Sequence, residues 1–125
     1  MTTNPPNLSK RTKEFALQIM RLVDLLPNTH SGRTVASQMV RSGLSVAANY
    51  RTALNGRSKA EFIAKLGTVR EEADETVFWL EIIMESGLLK SDQVVTLHKK
   101  ALELFAIFTT SIKTAKSTNT RGQIS

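Results

Sequence analysis

Apolar residues recur along this chain at intervals of three and four, the spacing that gathers them on one side of an α-helix. Four segments carry that pattern, and no window alternates with the period of two that marks a strand. The first predicted helix spans 9–26, with Phe15, Ile19, Leu22, Val23 and Leu26 on one stripe, and Pro27 stops it by withholding the next amide donor. The second spans 31–54 on Ala36, Met39, Val40, Gly43, Ala47, Tyr50 and Leu54, before the turn dipeptide Asn55-Gly56. The third, 58–86, opens with Ser58 and Glu61 in capping-box spacing and buries Phe62, Leu66, Val69, Ala73, Thr76, Leu80 and Ile83. Gly87 followed by Leu88 suits a left-handed cap at its end. The fourth, 91–116, starts at Ser91 and Asp92 and aligns Val94, Leu97, Ala101, Phe105, Phe108 and Ile112.

Four amphipathic helices with short connections pack most simply as an all-α, antiparallel up-down-up-down four-helix bundle. Residues 9–116 form that bundle, between a disordered N-terminus at 1–8 and a flexible tail at 117–125 where periodicity is lost. Two features refine the packing. Gly43, costly inside a helix, falls on the buried stripe of a segment rich in small residues, which implies a close backbone approach. Phe78, Trp79 and Ile82 lie off the main stripe of the third helix, so they are expected to form an oligomer interface.

Composition narrows the chemistry. The 125 residues contain no Cys, which removes thiolate metal sites, thiol nucleophiles and disulfides. Neither histidine, His30 or His98, sits in a metal-ligand or triad spacing, and no phosphate loop or nucleophile elbow occurs. The acidic run Glu71, Glu72, Asp74 and Glu75 lacks the Glu-x-x-His partners of a di-metal bundle, so it reads as a solvated or salt-bridging face. The reading is a non-enzymatic protein with no cofactor, no bound metal and no small-molecule substrate. The opening Met-Thr-Thr-Asn-Pro-Pro-Asn is not a secretory leader, and no apolar run approaches the roughly 20 residues of a membrane span. A cytoplasmic protein without membrane contact is expected.

Charge points further. The net charge is +6, and residues 1–60 hold nine basic side chains against two acidic ones, while 61–90 hold seven acidic against three basic. The candidate phosphate-binding residues are therefore Lys10, Arg11, Lys13, Arg33, Arg41, Arg51 and Arg57. Few aromatics are left over for base stacking, so contact with RNA or DNA would be phosphate-dominated, weakly selective and salt-sensitive. The alternative is a protein-interaction scaffold, its basic and acidic faces recruiting a protein partner without touching nucleic acid.

Several blocks in order also resemble a known family. Arg11-Thr12-Lys13-Glu14-Phe15-Ala16-Leu17, Arg41-Ser42-Gly43-Leu44-Ser45-Val46-Ala47-Ala48-Asn49-Tyr50-Arg51, Phe62-Ile63-Ala64-Lys65-Leu66, Glu72-Ala73-Asp74-Glu75-Thr76, Trp79-Leu80-Glu81 and Ser111-Ile112-Lys113-Thr114-Ala115-Lys116 are similar to the four-helix bundle proteins encoded in intervening sequences of bacterial 23S ribosomal RNA genes. The resemblance covers about 9–116. It implies a left-handed bundle, a barrel-like homopentamer and kinship with the nucleic-acid-associated accessory proteins of diversity-generating retroelements; it brings no catalytic residues.

Overall fold

The computed structural model describes residues 7–124, with side chains through Ser117. Its helices are α1 (Leu8–Val23), α2 (His30–Leu54), α3 (Lys59–Ser86) and α4 (Asp92–Ile124). Each packs on its neighbours in the order α1–α2–α3–α4–α1, and α1 meets α4 most sparingly. This is an all-α four-helix bundle.

The boundaries follow local chemistry. Asn7 caps α1, its Oδ1 accepting from the Lys10 amide at 3.1 Å. Asn7 and Leu8 therefore belong to the folded unit rather than to the disordered 1–8 segment expected; residues 1–6 of that segment lie outside those described. Helix α1 ends at Val23 with a tightened turn, Leu25 N–H bonding to the Leu22 carbonyl at 2.9 Å and Leu26 N–H to that of Val23 at 3.2 Å. It stops before Leu26 because the residue preceding a proline avoids the helical region. Thr29 caps α2, accepting from Gly32 N–H at 3.0 Å, so the helix starts at His30, one residue before the expected 31. Ser58 Oγ accepts from Glu61 N–H at 3.1 Å as the capping-box spacing predicts, but the Glu61 carboxylate turns back to the Arg57 amide, one residue outside the usual partner. Gly87 ends α3 with φ +71°, a left-handed conformation that a side chain disfavours. The backbone of α4 stays helical to Ile124, well past the limit of 116. Loss of an apolar stripe marks where a helix leaves the core, which need not be where its hydrogen bonds stop.

The core is built from Phe15, Ile19 and Leu22 of α1, Val35, Met39 and Val46 of α2, Leu66, Val69, Ala73, Leu80 and Ile83 of α3, and Val94, Leu97, Ala101, Leu104 and Phe108 of α4. Burying each of the larger of these side chains contributes roughly 1.5–3 kcal/mol. The expected stripes hold on α1 and α3. On α2 the buried residues are Gly32, Val35, Met39, Ser42, Gly43, Val46 and Ala53: Met39 and Gly43 of the expected stripe hold, Ala36, Val40, Ala47 and Tyr50 are only half-buried, and Leu54 is exposed. Small residues on both sides of α2 leave little contrast in its sequence, so its rotation is set by its neighbours.

Gly43 shows the close approach expected of it. A Cβ there would stand 3.0 Å from both Cγ atoms of Ile19, which is fully buried and stiff at χ1. Across the other seam, the Ser42 and Thr76 hydroxyls meet at 2.9 Å in the core, with the Met39 and Glu72 carbonyls as their remaining partners.

Candidate nucleic-acid interface

The seven candidate cations separate into distinct environments. Lys10 and Lys13 lie on the first turns of α1, and Arg51 lies on the last turn of α2. With Asn7, Ser9, Thr12, Ala47 and Tyr50 they line one groove of about 530 Å³ at the foot of the α1–α2 seam. The packing of Ile19 on Gly43 sets the antiparallel register of α1 and α2, which brings the first turns of α1 level with the last turns of α2. Tyr50 forms the floor, its ring 5.4 Å from that of buried Phe108. Burial raises the Tyr50 hydroxyl above its ordinary pKa, so it stays a neutral donor.

The groove is electropositive from two sources. Lysines and arginine line it, and the N-terminus of α1 opens onto it with no acidic residue in its first turn. The one carboxylate nearby, Glu14, stands 4.0 Å from Lys10 Nζ in a solvent-exposed i,i+4 pair, an interaction worth only a few tenths of a kcal/mol. Lys13 and Arg51 have no ion pair among the described residues.

The other four are placed elsewhere. Arg11 points to the opposite edge of α1 and reaches Glu103 of α4 at 3.2 Å. Arg33, at the far end of α2, is held by the Asn28 side chain at 3.0 Å and its carbonyl at 3.3 Å. Arg57 lies in the α2–α3 connection with its side chain exposed. Arg41 is clamped across the α2–α3 seam, one guanidinium nitrogen 3.3 Å from Glu72 Oε1 and the other hydrogen-bonded to Glu75. The Glu75 hydrogen bond holds Arg41 above its ordinary pKa, and the same bond, with one from the Trp79 indole at 3.2 Å, lowers that of Glu75 against the opposing effect of burial. The acidic run thus includes an inter-helix salt bridge. His98, for its part, meets Glu81 at 2.9 Å between α4 and α3.

Of the three off-stripe residues of α3, Trp79 and Ile82 are half-buried against the edge of the core. Phe78 stays out, 50% exposed, with the Trp79 ring edge-on at 4.9 Å. Sequence reasoning did not find Asn7, Ser9 and Thr12 as groove residues, and it placed Ala47 and Tyr50 on a buried stripe. The usable signal was their proximity in sequence to Lys10 and Lys13 in the first turns of α1. No helix among the described residues is long and apolar enough to cross a membrane.

Comparison with known proteins agrees with this architecture. Residues 7–110 match the family described as 23S rRNA-intervening sequence protein. A 1.70 Å crystal structure from Bacteroides thetaiotaomicron VPI-5482, described as a protein with unknown function from the S23 ribosomal protein family, superposes with a TM-score of 0.78. The two are 31% identical, over 84% of this chain and 97% of that one. No curated protein matches the chain.

Proposed function

Since the chain belongs to the 23S rRNA-intervening sequence protein family, we propose that it is a non-enzymatic, oligomeric bundle of the cytoplasm that grips RNA or DNA backbone through the groove at the foot of α1 and α2. The observation that carries this reading is the convergence of Lys10, Lys13 and Arg51 beside a helix N-terminus, with a single weak carboxylate contact among them. Arginine forks and lysine point charges both suit phosphate oxygens, and backbone amides at a helix start add donors. Nothing in the groove is arranged to read base edges, so the ligand is backbone of either kind. The family resemblance supports assembly as a homopentamer, which would present several grooves to one strand and raise avidity.

The test is binding of generic RNA and DNA duplexes across a salt series. Three phosphate contacts correspond to a loss of about 40-fold in affinity between 50 and 200 mM salt at a slope of ~0.9 per contact. Lys10→Glu with Arg51→Glu should abolish binding while leaving helicity unchanged. No binding by the wild type at 50 mM salt refutes the proposal.

A further inference from the structure

Charge collects at one end of the bundle. Residues 8–14, 47–65 and 108–117 form the foot, where α1 and α3 start, α2 ends and α4 runs on. They carry nine basic side chains against two acidic ones, Glu14 and Glu61, whereas residues 17–38 and 78–100 at the other end carry five against four. Glu14 pairs only weakly with Lys10, and Glu61 accepts from the Arg57 amide. One of the nine cations, Arg11, is held by Glu103.

The foot has a second groove, of about 370 Å³, lined by Lys59 and Phe62 of α3 and by Thr110, Ser111, Thr114 and Ala115 of α4. The α4 row that meets Arg11 at Glu103 continues to Thr110 and Thr114, at intervals of seven and four. Leu8 lies only three residues before Arg11, so both threonines stand past the start of α1. This groove therefore flanks that start on the α4 side, as the Tyr50 groove does on the α2 side. Each has an aromatic ring in its wall. Tyr50 and Phe62 fall on apolar stripes of their helices, yet both are only half-buried. Tyr50 rests on Phe108, which lies about one turn of α4 before Ser111, so the two grooves are close neighbours. The hydroxyls of Tyr50, Thr110 and Thr114 make no hydrogen bond among the described residues.

From these observations we infer that the ligand of the foot is a single strand of RNA or DNA, its unpaired bases laid on Tyr50 and Phe62 in the two grooves while the surrounding cations hold its phosphates. A cationic groove alone suits any polyanion. A ring set among the cations gains only from a base whose π-face is open, and a duplex keeps those faces stacked on one another. Both volumes take a group the size of one nucleotide. Stacking tolerates any sequence, which fits grooves with nothing placed to read base edges. The unpartnered hydroxyls supply donors for phosphate and sugar oxygens, and Lys59 joins Lys10, Lys13 and Arg51 as a phosphate contact. The inference rests on the phosphate grip proposed above and adds the strandedness of the ligand and a second groove to hold it.

Fluorescence anisotropy at about 50 mM salt tests it with three labelled probes: oligothymidylate, the same strand annealed to oligoadenylate, and an abasic strand of equal length. The wild type should bind oligothymidylate about tenfold or more tighter than either of the others. Tyr50→Leu and Phe62→Leu keep apolar bulk against the core. Each should weaken oligothymidylate binding about fivefold or more and leave the duplex and abasic strand bound as before, which also reports that the variants are folded. The three probes on the wild type decide the matter even if a substitution unfolds the bundle. A duplex or an abasic strand bound as tightly as oligothymidylate overturns the single-strand assignment while the phosphate grip stands. A folded Phe62→Leu variant that binds like the wild type overturns the second groove. Failure to bind any of the three refutes the phosphate grip itself.

Discussion

Helix α2 makes two seams that differ in kind. Against α1 it packs bare backbone on a branched side chain, Gly43 on Ile19, and leaves its arginine at the foot, Arg51, facing an open groove. Against α3 it buries a hydroxyl pair, Ser42 with Thr76, and neutralises Arg41 between two carboxylates. Arg41 and Arg51 are ten residues apart on the same helix and identical in chemistry. Only the neighbouring helix separates a structural clamp from a free cation. Net charge therefore overstates the charge a polyanion meets, and the seam a residue faces decides its availability.

The sharpest way to break the contrast is at the tight seam. Gly43→Ala should destabilise the bundle by roughly 1–3 kcal/mol through overpacking on Ile19, despite the better helix propensity of Ala. Gly67 has nothing within 4 Å of an added Cβ, so Gly67→Ala should stabilise by up to ~1 kcal/mol. Urea denaturation reads both, and equal effects would remove the packing explanation. Next in size, Thr76→Val should cost about 1 kcal/mol, the ordinary worth of a buried hydrogen bond, since Ser42 keeps the Met39 carbonyl.

Arg41→Ala should cost somewhat less at neutral pH, because its guanidinium is half exposed. Its signature is pH dependence. The folded-state pKa of Glu75 is lowered, so the pairing contributes stability above the ordinary carboxylate range and loses it as pH falls through the folded value. The gap between wild type and variant in thermal melts should close on acidification; a gap that stays constant to pH 3 contradicts the clamp. Smallest of all, Arg51→Gln should change folding by less than about 0.5 kcal/mol while reducing the salt slope of nucleic-acid binding by about one. A variant with the opposite profile, unstable yet binding normally, would make Arg51 a second Arg41.

Much of the fold was legible along the chain. The capping-box spacing at Ser58 and Glu61, the glycine that ends α3 and the apolar stripes of α1 and α3 follow from neighbours within about one helical turn. Helix α2 was misread in rotation because Ala36, Val40 and Ala47 mimic a buried stripe; Gly43 was placed correctly, but only the packing against Thr76 selects Ser42. Of the seven candidate cations, three converge. The others were indistinguishable from them without knowing where Glu103, Asn28, Glu72 and Glu75 stand.

Residue order thus settles which segments are helical, where their caps fall and that basic and acidic helices are kept apart, because backbone hydrogen bonding and side-chain periodicity are local. Which arginines are cancelled, where the groove opens and which greasy rows point outward depend on contacts between residues thirty to ninety positions apart. Those contacts exist only once four helices of unequal length have been set side by side.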